Sequence, residues 1–554
     1  MAETASIPRP LGEMLTPRQK FLLLNSLMLT MFISALDTSI VATATPRILA
    51  DLGGFTLLSW VFTVYLLAST VVVPIVGKLS DMFGRKPFIL VGIAVFVASS
   101  AACGAAPSML FLIFARGIQG IGGGILFGTV FATLGDLFTP IQRAKYMGYF
   151  IASFTLANLT GPTIGGFLTD GPGWRWCFYI NLPVGALAAL FIWKNLPYHR
   201  KGGKLSSVDF LGAALLSLAT ISVLLGLVWS HEKFGWLAPE TIGLFAAGGA
   251  LLFGFVLQER RHPQAIFPMH LFRNRVFVTA NLLVAVQGAG MFGAIQYLPT
   301  FIQTSLGASA TASGLVSTPQ SLGLLAASIV GGQIVARTGR WKYQVILGSV
   351  MTVGATLLLQ TLDVGVPTWH ISVFMVLFGL GSGLLGPTMS VITQSAVSQE
   401  FIGVATSGRQ FCMQIGQVMG VAVFGLIFTT TYSSEFVQQV PPAIRQEIPA
   451  DAFEKFQDPT LALDDKGFAA VQAELQAVPS GNGDEVLRDA VEAQKGAVAV
   501  AIQRLFLGST IAGLVVLALA ISMKEIPLRK TFATSGASPD GRQKPLEPVT
   551  VDVH

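Results

Sequence analysis

Long runs of hydrophobic residues recur along nearly the whole chain and are separated by short polar segments. Each run covers roughly 18 to 25 residues, enough for a helix to cross about 30 Å of hydrocarbon. The core of a soluble protein does not repeat in this way. The pattern predicts about fourteen membrane-spanning helices near 21–48, 58–77, 88–106, 109–135, 146–169, 178–197, 208–229, 240–257, 277–303, 312–336, 343–362, 370–397, 401–430 and 500–523.

Composition supports this interpretation, since 52% of the 554 residues are hydrophobic and only 12% are charged. The net charge of +6 could elsewhere indicate nucleic-acid binding, but here the basic residues are spread over short segments between the apolar runs. We therefore expect a protein of the lipid bilayer that binds no nucleic acid. Cys103, Cys177 and Cys412 lie too far apart in sequence for a metal site or a disulfide framework, so no metal is expected.

The basic residues predict the orientation of the chain in the membrane. They cluster in alternate connections, at 78–86, 143–145, 200–204, 260–275 and 337–342, whereas the other short loops are nearly free of Lys and Arg. Such clusters mark the cytoplasmic side. An even number of spans then places both termini, 1–20 and 524–554, in the cytoplasm, and we expect the second tail to be disordered.

A weak internal repeat predicts two halves. Residues 77–85 follow the second span, and a similar segment at 332–340 follows the second span of the later half, with Ala336 in place of an aspartate. This arrangement is typical of transporters built from parallel repeats. We expect an all-α membrane protein with six-helix bundles at 21–197 and 276–523, joined through two additional helices and inner loops at 198–275.

One long connection, 431–499, falls on the predicted outer side and is acidic. Segments 468–478 and 485–494 have helical patterning, which predicts short amphipathic helices. We interpret the connection as a solvated insertion, and a role in binding a partner is the alternative.

Asp37 is the one carboxylate that the pattern places well inside a span. A charge in the bilayer core costs at least several kcal/mol, so such residues are functional candidates. Burial raises the affinity of a carboxylate for a proton, and a nearby cation lowers it again, so Asp37 is the predicted proton carrier. A neutral, hydrogen-bonded structural aspartate is the alternative interpretation.

Arg116, in the fourth span, is predicted to lie at a depth close to that of Asp37. Its guanidinium could then stabilise the Asp37 anion whenever substrate and proton are absent, which is a physical basis for exchange. The alternative is a structural arginine that binds backbone carbonyl groups.

The inner loop after the second span combines an acid, two bases and helix-ending glycines. Such a group can cap a neighbouring helix or form a breakable latch, and an acid at the inner end of the fourth span is a candidate partner. Plain positive-inside charge explains the bases but not the spacing of the acid and the glycines. The predicted latch residues are Gly77, Asp81, Gly84, Arg85, Lys86 and Asp136.

The fifth span contains glycines at i and i+4 spacing beside a proline. Glycines four apart allow close helix contact, and a proline permits a bend. The residues are Gly161, Pro162, Gly165 and Gly166.

Four segments in order resemble signature motifs of the major facilitator superfamily. Along the chain they are Leu36–Val41, 77–90, Arg116–Gly120 and Gly161–Gly166. The segment Trp174–Pro183 extends the resemblance to the fourteen-span drug:proton antiporter family. The resemblance covers about 20–530 and implies export driven by proton entry, with Asp37 and Arg116 as coupling residues. It also implies that 77–86 is the latch and that Gly161-Pro162 is an antiporter motif.

The predicted substrate site is a mid-membrane cavity between the bundles, lined by apolar and aromatic side chains with a few polar ones. For each candidate, a packing role is an equal alternative. The candidates are Gln119, Asn158, Gln287, Met291, Gln296, Tyr297, Arg409 and Gln414.

We predict a monomeric, proton-coupled exporter of hydrophobic or cationic small molecules, powered by the proton gradient and without a cofactor. The rivals are a dedicated exporter of a lipid or secreted metabolite, and a membrane sensor whose outer loop binds a partner. An enzyme is not expected, because the sequence contains no nucleophile and base pair, metal cluster or nucleotide loop.

Overall fold

The computed structural model describes residues 11–53, 57–198, 205–232, 234–442, 445, 448–458, 461, 465–476, 483–526 and 528, and these ranges contain helices and no strand. The predicted tail beyond 528 lies outside them. Fourteen described helices have 15 residues or more, and each overlaps one predicted span. They are α1 (Pro17–Leu52), α2 (Leu58–Phe83), α3 (Arg85–Gly104), α4 (Met109–Leu137), α5 (Pro140–Asp170), α6 (Asn181–Asn195), α7 (Phe210–Glu232), α8 (Pro239–Glu259), α9 (Arg275–Ile295), α10 (Ala310–Thr338), α11 (Lys342–Leu359), α12 (Thr368–Ser395), α13 (Ile402–Gln439) and α14 (Gly483–Ser522).

Twelve helices in the described part of the chain are long and apolar enough to cross a membrane. The helices α5 and α9 do not meet both criteria. The first has 31 residues but carries many small and polar ones, and the second runs over Arg275–Ile295, of which the stretch Arg275–Met291 is counted as a shorter apolar helix. The protein is therefore an all-helical membrane protein with about twelve candidate spans.

The long helices form two bundles with the same internal arrangement. In the first bundle α1 packs against α5 and α6, α4 packs against α2 and α3, and α3 also contacts α6. In the second bundle α9 packs against α13 and α14, α12 packs against α10 and α11, and α11 also contacts α14. The weak sequence repeat therefore corresponds to a repeated three-dimensional unit.

The two bundles meet through equivalent helix pairs. The helix α5 packs against α10 and α12, and its counterpart α13 packs against α2 and α4. Glycines allow the close approach of α5 and α10, because a Cβ atom at Gly148 would overlap the Ser328 carbonyl and one at Gly332 would overlap that of Ala144. These contacts lie toward the end of the bundles that carries residues 77–86, which we call the latch end.

The helices α7 and α8 pack on each other, and α7 also contacts α2 and α13. The segment after α8 turns back along the latch end. There the carboxylate of Glu259 accepts hydrogen bonds from the backbone N–H groups of Ile266 and Phe267, both at 3.0 Å. The side chain of Phe267 packs against Gly408 of α13, so the segment lies beside the junction of the two bundles.

The connection predicted at 431–499 differs from a solvated insertion. The helices α13 and α14 extend well beyond the predicted spans, and short helices form at Ala450–Phe456 and Asp465–Gln476 between them. Their apolar faces form a core with almost no exposure. The predicted amphipathic segments 468–478 and 485–494 overlap the helices Asp465–Gln476 and Gly483–Ser522, but the sequence pattern does not show that their apolar faces pack into one core. The core residues include Tyr432, Phe436, Phe456, Val471, Leu475 and Val486.

The predicted span 277–303 is interrupted in the structure. The helix α9 ends at Ile295, and a separate helix covers Leu298–Thr304 with Pro299 in its first turn. Proline fits a first turn because the N–H that it lacks would have no partner there. Leu298, Phe301 and Ile302 are fully buried in the core that they share with the helices Ala450–Phe456 and Asp465–Gln476.

Candidate functional site

Asp37 of α1 and Arg116 of α4 form an ion pair inside the first bundle. The Nη1 atom of Arg116 lies 2.5 Å from Oδ2 of Asp37, and both side chains are 0% exposed. Burying two charges is unfavourable unless each is paired and hydrogen-bonded, and removing one partner of such a pair typically costs about 3–5 kcal/mol. Each side chain of the pair therefore depends on the charge of the other.

Two amides complete the surroundings of Asp37. Gln119 and Asn181 each donate a side-chain N–H to Oδ1 of Asp37 at 2.8 Å. An ionised carboxylate only accepts hydrogen bonds, which matches three donors from three side chains. Gln119 is fully buried in this cluster, so the structure places it beside the carboxylate and not on an open cavity wall.

The guanidinium of Arg116 has further contacts that do not depend on Asp37. It donates to Oε1 of Gln119 at 2.8 Å and lies over the ring of Tyr65, 4.4 Å from the centroid. A cation over an aromatic face is stabilised by the ring quadrupole. Arg116 therefore keeps favourable contacts if Asp37 becomes neutral.

Sequence reasoning did not assign Tyr65, Ser100 or Asn181 to this cluster. Asn181 also donates to Ser100 Oγ at 2.9 Å and so ties α3, α6 and α1 together. The available signal was a set of polar residues inside or beside apolar runs, but nothing in a linear sequence shows that they meet at one carboxylate.

The latch residues form a second charged cluster at the latch end. Arg85 pairs with Asp81, and its Nε lies 2.8 Å from Oδ2 of Asp136. Gln399, just before α13, donates to the other oxygen of Asp136 at 3.1 Å. The cluster thus reaches from the first bundle to the second.

Asp81 makes the most direct link between the bundles. Its carboxylate accepts hydrogen bonds from the backbone N–H of Gly403 at 3.2 Å and of Val404 at 2.9 Å. These groups belong to the first turn of α13, where backbone N–H groups lack helical partners and the helix dipole favours an anion. Asp81 therefore caps a helix of the opposite bundle.

The glycines of the latch meet different steric demands. A Cβ atom at Gly77 would overlap the side chain of Ser407, so glycine permits α2 and α13 to touch. Gly84 has φ 95°, a value that favours glycine, at the sharp turn between α2 and α3. Lys86 donates to the carbonyl of Trp193 at 2.7 Å and thus joins α3 to α6 within the first bundle.

The predicted antiporter motif lies where α5 meets α1. Cβ atoms at Gly161 and Gly165 would crowd Ser39 and Ile40 of α1, whereas the Cβ position of Gly166 has no neighbour within 4 Å. Pro162 lies within α5 and is exposed. Two glycines of the motif therefore serve helix contact.

The other predicted cavity residues are dispersed. Asn158 and Gln296 are exposed. The ring of Tyr297 stacks on Phe428 with centroids 5.0 Å apart, and its hydroxyl donates to the Val421 carbonyl. Gln287 and Met291 line a small cavity inside the second bundle, between α9, α11, α12 and α14, and not between the bundles.

Arg409 and Gln414 lie on α13 and are buried, with 4% and 6% exposure. Nε of Arg409 and Oε1 of Gln414 have no hydrogen-bond partner in the structure.

No group of three or more His, Cys, Asp or Glu side chains that could hold a metal occurs among the residues that the structure describes.

Comparison with known proteins places the chain among transporters. The family model described as Major Facilitator Superfamily matches residues 27–421. The multidrug transporter protein MdtP of Bacillus subtilis (strain 168) is 40% identical over 434 residues, which cover 78% of this chain and 80% of that protein. Multidrug resistance protein 3 of the same organism is 35% identical, with 75% of this chain and 81% of that protein covered.

A solved structure shares the fold. The human organic anion transporter MFSD10 (TETRAN) superposes with a TM-score of 0.58 over 90% of this chain and 100% of that chain. At 16% sequence identity, the likeness concerns the fold alone.

Proposed function

Because the chain belongs to the major facilitator superfamily, we propose that it is a proton-coupled antiporter that exports hydrophobic or cationic small molecules across the cell membrane by alternating access. The family and the relatives identify a multi-pass membrane transporter and not an enzyme. The names of the two Bacillus subtilis relatives, a multidrug transporter protein and a multidrug resistance protein, support drugs as the class of substrate.

The buried pair of Asp37 and Arg116 is the observation that carries the proposal of proton coupling. A proton that binds Asp37 removes the charge that holds Arg116, Gln119 and Asn181 around it. Because Asp37 lies on α1, Arg116 and Gln119 on α4 and Asn181 on α6, the change weakens the packing of α1 against α4 and α6. Loss of the proton restores the pair, so each transport cycle uses the proton gradient and no bound cofactor.

The latch supports the proposal of alternating access. Asp81, Arg85 and Asp136 bridge the bundles at the latch end, and the α5–α10 contact closes the same end. If this end faces the cytoplasm, as the positive charges predict, the structure is closed to the cytoplasm. Opening the route from the cytoplasm then requires that Asp81 release the first turn of α13.

We further propose that all fourteen long helices cross the membrane and that both termini are cytoplasmic. The helices α5 and α9 occupy positions equivalent to α13 and α1 in the repeated bundle, which requires each to run the length of its bundle. One chain then contains both bundles and acts as a monomer.

Sided labelling tests the topology. Single cysteines replace Lys145 and Asp170 at the two ends of α5, and Arg273 and Ser309 on either side of α9, in a protein lacking its three native cysteines. An impermeant maleimide added outside cells should label the Asp170 and Ser309 positions and not the other two. Labelling of both α5 positions from one side would rule out fourteen spans.

Transport in proteoliposomes tests the coupling. With an imposed pH gradient, the parent protein should concentrate ethidium, whereas Asp37→Asn should carry it only down its own gradient. Asp51→Asn is the matched control, because Asp51 lies on the same helix but is half-exposed and pairs with Arg175 near the opposite end. Equal accumulation by Asp37→Asn and the parent would exclude Asp37 as the proton carrier.

A further inference from the structure

Arg409 of α13 is a buried guanidinium that differs from the other buried arginines in its partners. Within the described part of the chain it forms no ion pair with a carboxylate. Its one hydrogen bond is to Oε1 of the neighbouring Gln410 at 3.3 Å, and its Nε has no partner. Isolated buried charges are strongly unfavourable, and charged residues inside membrane helices mark binding or conduction sites.

Arg143 shows what a structural arginine looks like in this protein. It is also almost fully buried, but its guanidinium donates to the carbonyl groups of Phe138 and Gly135 and thereby caps the end of α4. Arg409 has no comparable carbonyl partners. A purely structural role therefore leaves its donors unused.

The neighbours of Arg409 along α13 locate it just above the closed latch end. Three residues earlier, Thr406 accepts from Gln394, which also donates to the carbonyl of Phe131 in α4. Ser407, which lies three residues before Gln410, contacts Gly77 of α2. Because residues three apart share a helix face, Arg409 and Gln410 lie one turn farther into α13 than the contacts that close the latch end.

Two amides on α13 complement the guanidinium. Gln410 and Gln414 are 5% and 6% exposed, and Oε1 of Gln414 has no partner. An amide can turn either its N–H₂ or its oxygen toward a ligand. The region thus offers one unpaired cation and two amides.

We propose that Arg409 binds an acidic group of the transported molecule, so that the substrates include amphiphilic carboxylates and zwitterions in addition to cations. The proposal rests on the proposed transport function. A carboxylate accepts two parallel hydrogen bonds from a guanidinium, which supplies the missing counter-charge and satisfies the unused Nε donor. Asp37 cannot take this role, because it is a carboxylate itself and is enclosed by its own donors.

A set of three fluorescent ligands with the same dansyl group tests the proposal. Dansylglycine carries a carboxylate, dansylglycinamide is its neutral analogue, and dansylcadaverine is a cation. Binding is measured by fluorescence with the purified full chain in detergent and without a pH gradient. The parent should bind dansylglycine roughly ten- to hundredfold more tightly than the amide, as expected for a hydrogen-bonded charge pair.

Variants assign the preference to Arg409. Arg409→Gln should equalise dansylglycine and dansylglycinamide while leaving dansylcadaverine affinity unchanged, which also shows that the protein is folded. Arg409→Lys should keep a reduced preference, because lysine retains the charge without the planar fork. Arg337→Gln removes an exposed charge at the end of α10 and should change nothing.

Two results would overturn the proposal: a parent protein without preference for the carboxylate, or an undiminished preference in Arg409→Gln. If Arg409→Gln does not fold, an unchanged preference in Arg409→Lys overturns it equally. Failure of proton coupling is distinguishable, since it appears as uphill transport by Asp37→Asn and leaves the equilibrium binding of the three ligands untouched.

Discussion

Asp81 in one bundle caps the first turn of α13 in the other, through a hydrogen bond of 3.2 Å from the Gly403 N–H. The same carboxylate is paired with Arg85, which is itself tied to Asp136. One side chain therefore joins a charged cluster of the first bundle to a helix dipole of the second.

Asp81→Asn should make the latch end open more often. The amide keeps the shape of the side chain but loses the charge that favours both Arg85 and the α13 N-terminus, at a cost of roughly 1–3 kcal/mol. A cysteine at Ser407, which is fully buried in the closed junction, reports opening. We expect N-ethylmaleimide to label the cysteine at position 407 about tenfold or more faster in the Asp81→Asn variant than in the parent. The control is Asp170→Asn at the far end of α5, which should leave the labelling rate unchanged.

Gly77→Ala should also make the latch end open more often and should lower the transport rate, for a steric reason. The added methyl group would overlap Ser407 and lie 2.9 Å from the Gly403 carbonyl, so α2 and α13 must separate. Ser407→Gly in the same chain removes the nearer obstacle and should restore part of the transport rate. Lack of any rescue would show that the Ser407 contact does not limit closure.

The sequence predicted those parts of the fold that depend on local pattern. Apolar runs located the long helices, and the similarity between 77–85 and 332–340 predicted a duplicated bundle. The polar partners of Asp37 were harder to assign. Tyr65 and Asn181 reach Arg116 and Asp37 through helix packing, which a linear pattern does not encode.

The two copies of the sequence repeat differ in the side chains that they bring together at the latch end. Gly332 serves close contact with α5, and Gly339 has φ 69°, but Arg340 is exposed and Ala336 offers no charge. The second copy thus keeps the helix contact and the turn without the ion-pair cluster. The two halves share their backbone geometry, and only the first carries the charged latch.

Asn181→Ala tests whether the amide donors of Asp37 matter for coupling. The change removes one of three hydrogen bonds to a buried carboxylate, each worth about 1.5–3 kcal/mol. We expect ethidium accumulation driven by a pH gradient to fall about tenfold or more, while ethidium binding in detergent persists. Asn195→Ala, at the end of the same helix, bonds only to a carbonyl one turn earlier and is the control. Equal losses in both variants would indicate general damage to α6.

Glu259→Gln tests whether the segment after α8 supports the latch. Glu259 accepts hydrogen bonds from the backbone of Ile266 and Phe267, and the same segment brings Gln264 to Lys78 of α2 at 3.1 Å. A neutral amide binds those two N–H groups more weakly, so the segment should detach more easily. We expect a lower Tm and faster tryptic cleavage at Arg261, and Glu240→Gln at the other end of α8 should alter neither.

The core that the helices Ala450–Phe456 and Asp465–Gln476 form with α13 and α14 predicts that this region stabilises the second bundle. Tyr432 donates to the Phe456 carbonyl at 2.6 Å, and the ring of Phe436 stacks on that of Phe456 with centroids 5.8 Å apart. Phe436→Ala should therefore destabilise the protein by about 3–5 kcal/mol, as for other buried phenylalanines. Thermal unfolding measures the loss, with Phe436→Leu as the milder replacement and Phe167→Ala, an exposed residue of α5, as the control. If 431–499 were a solvated insertion, Phe436→Ala would lower the stability of the protein no more than Phe167→Ala does. That result would contradict the packed core.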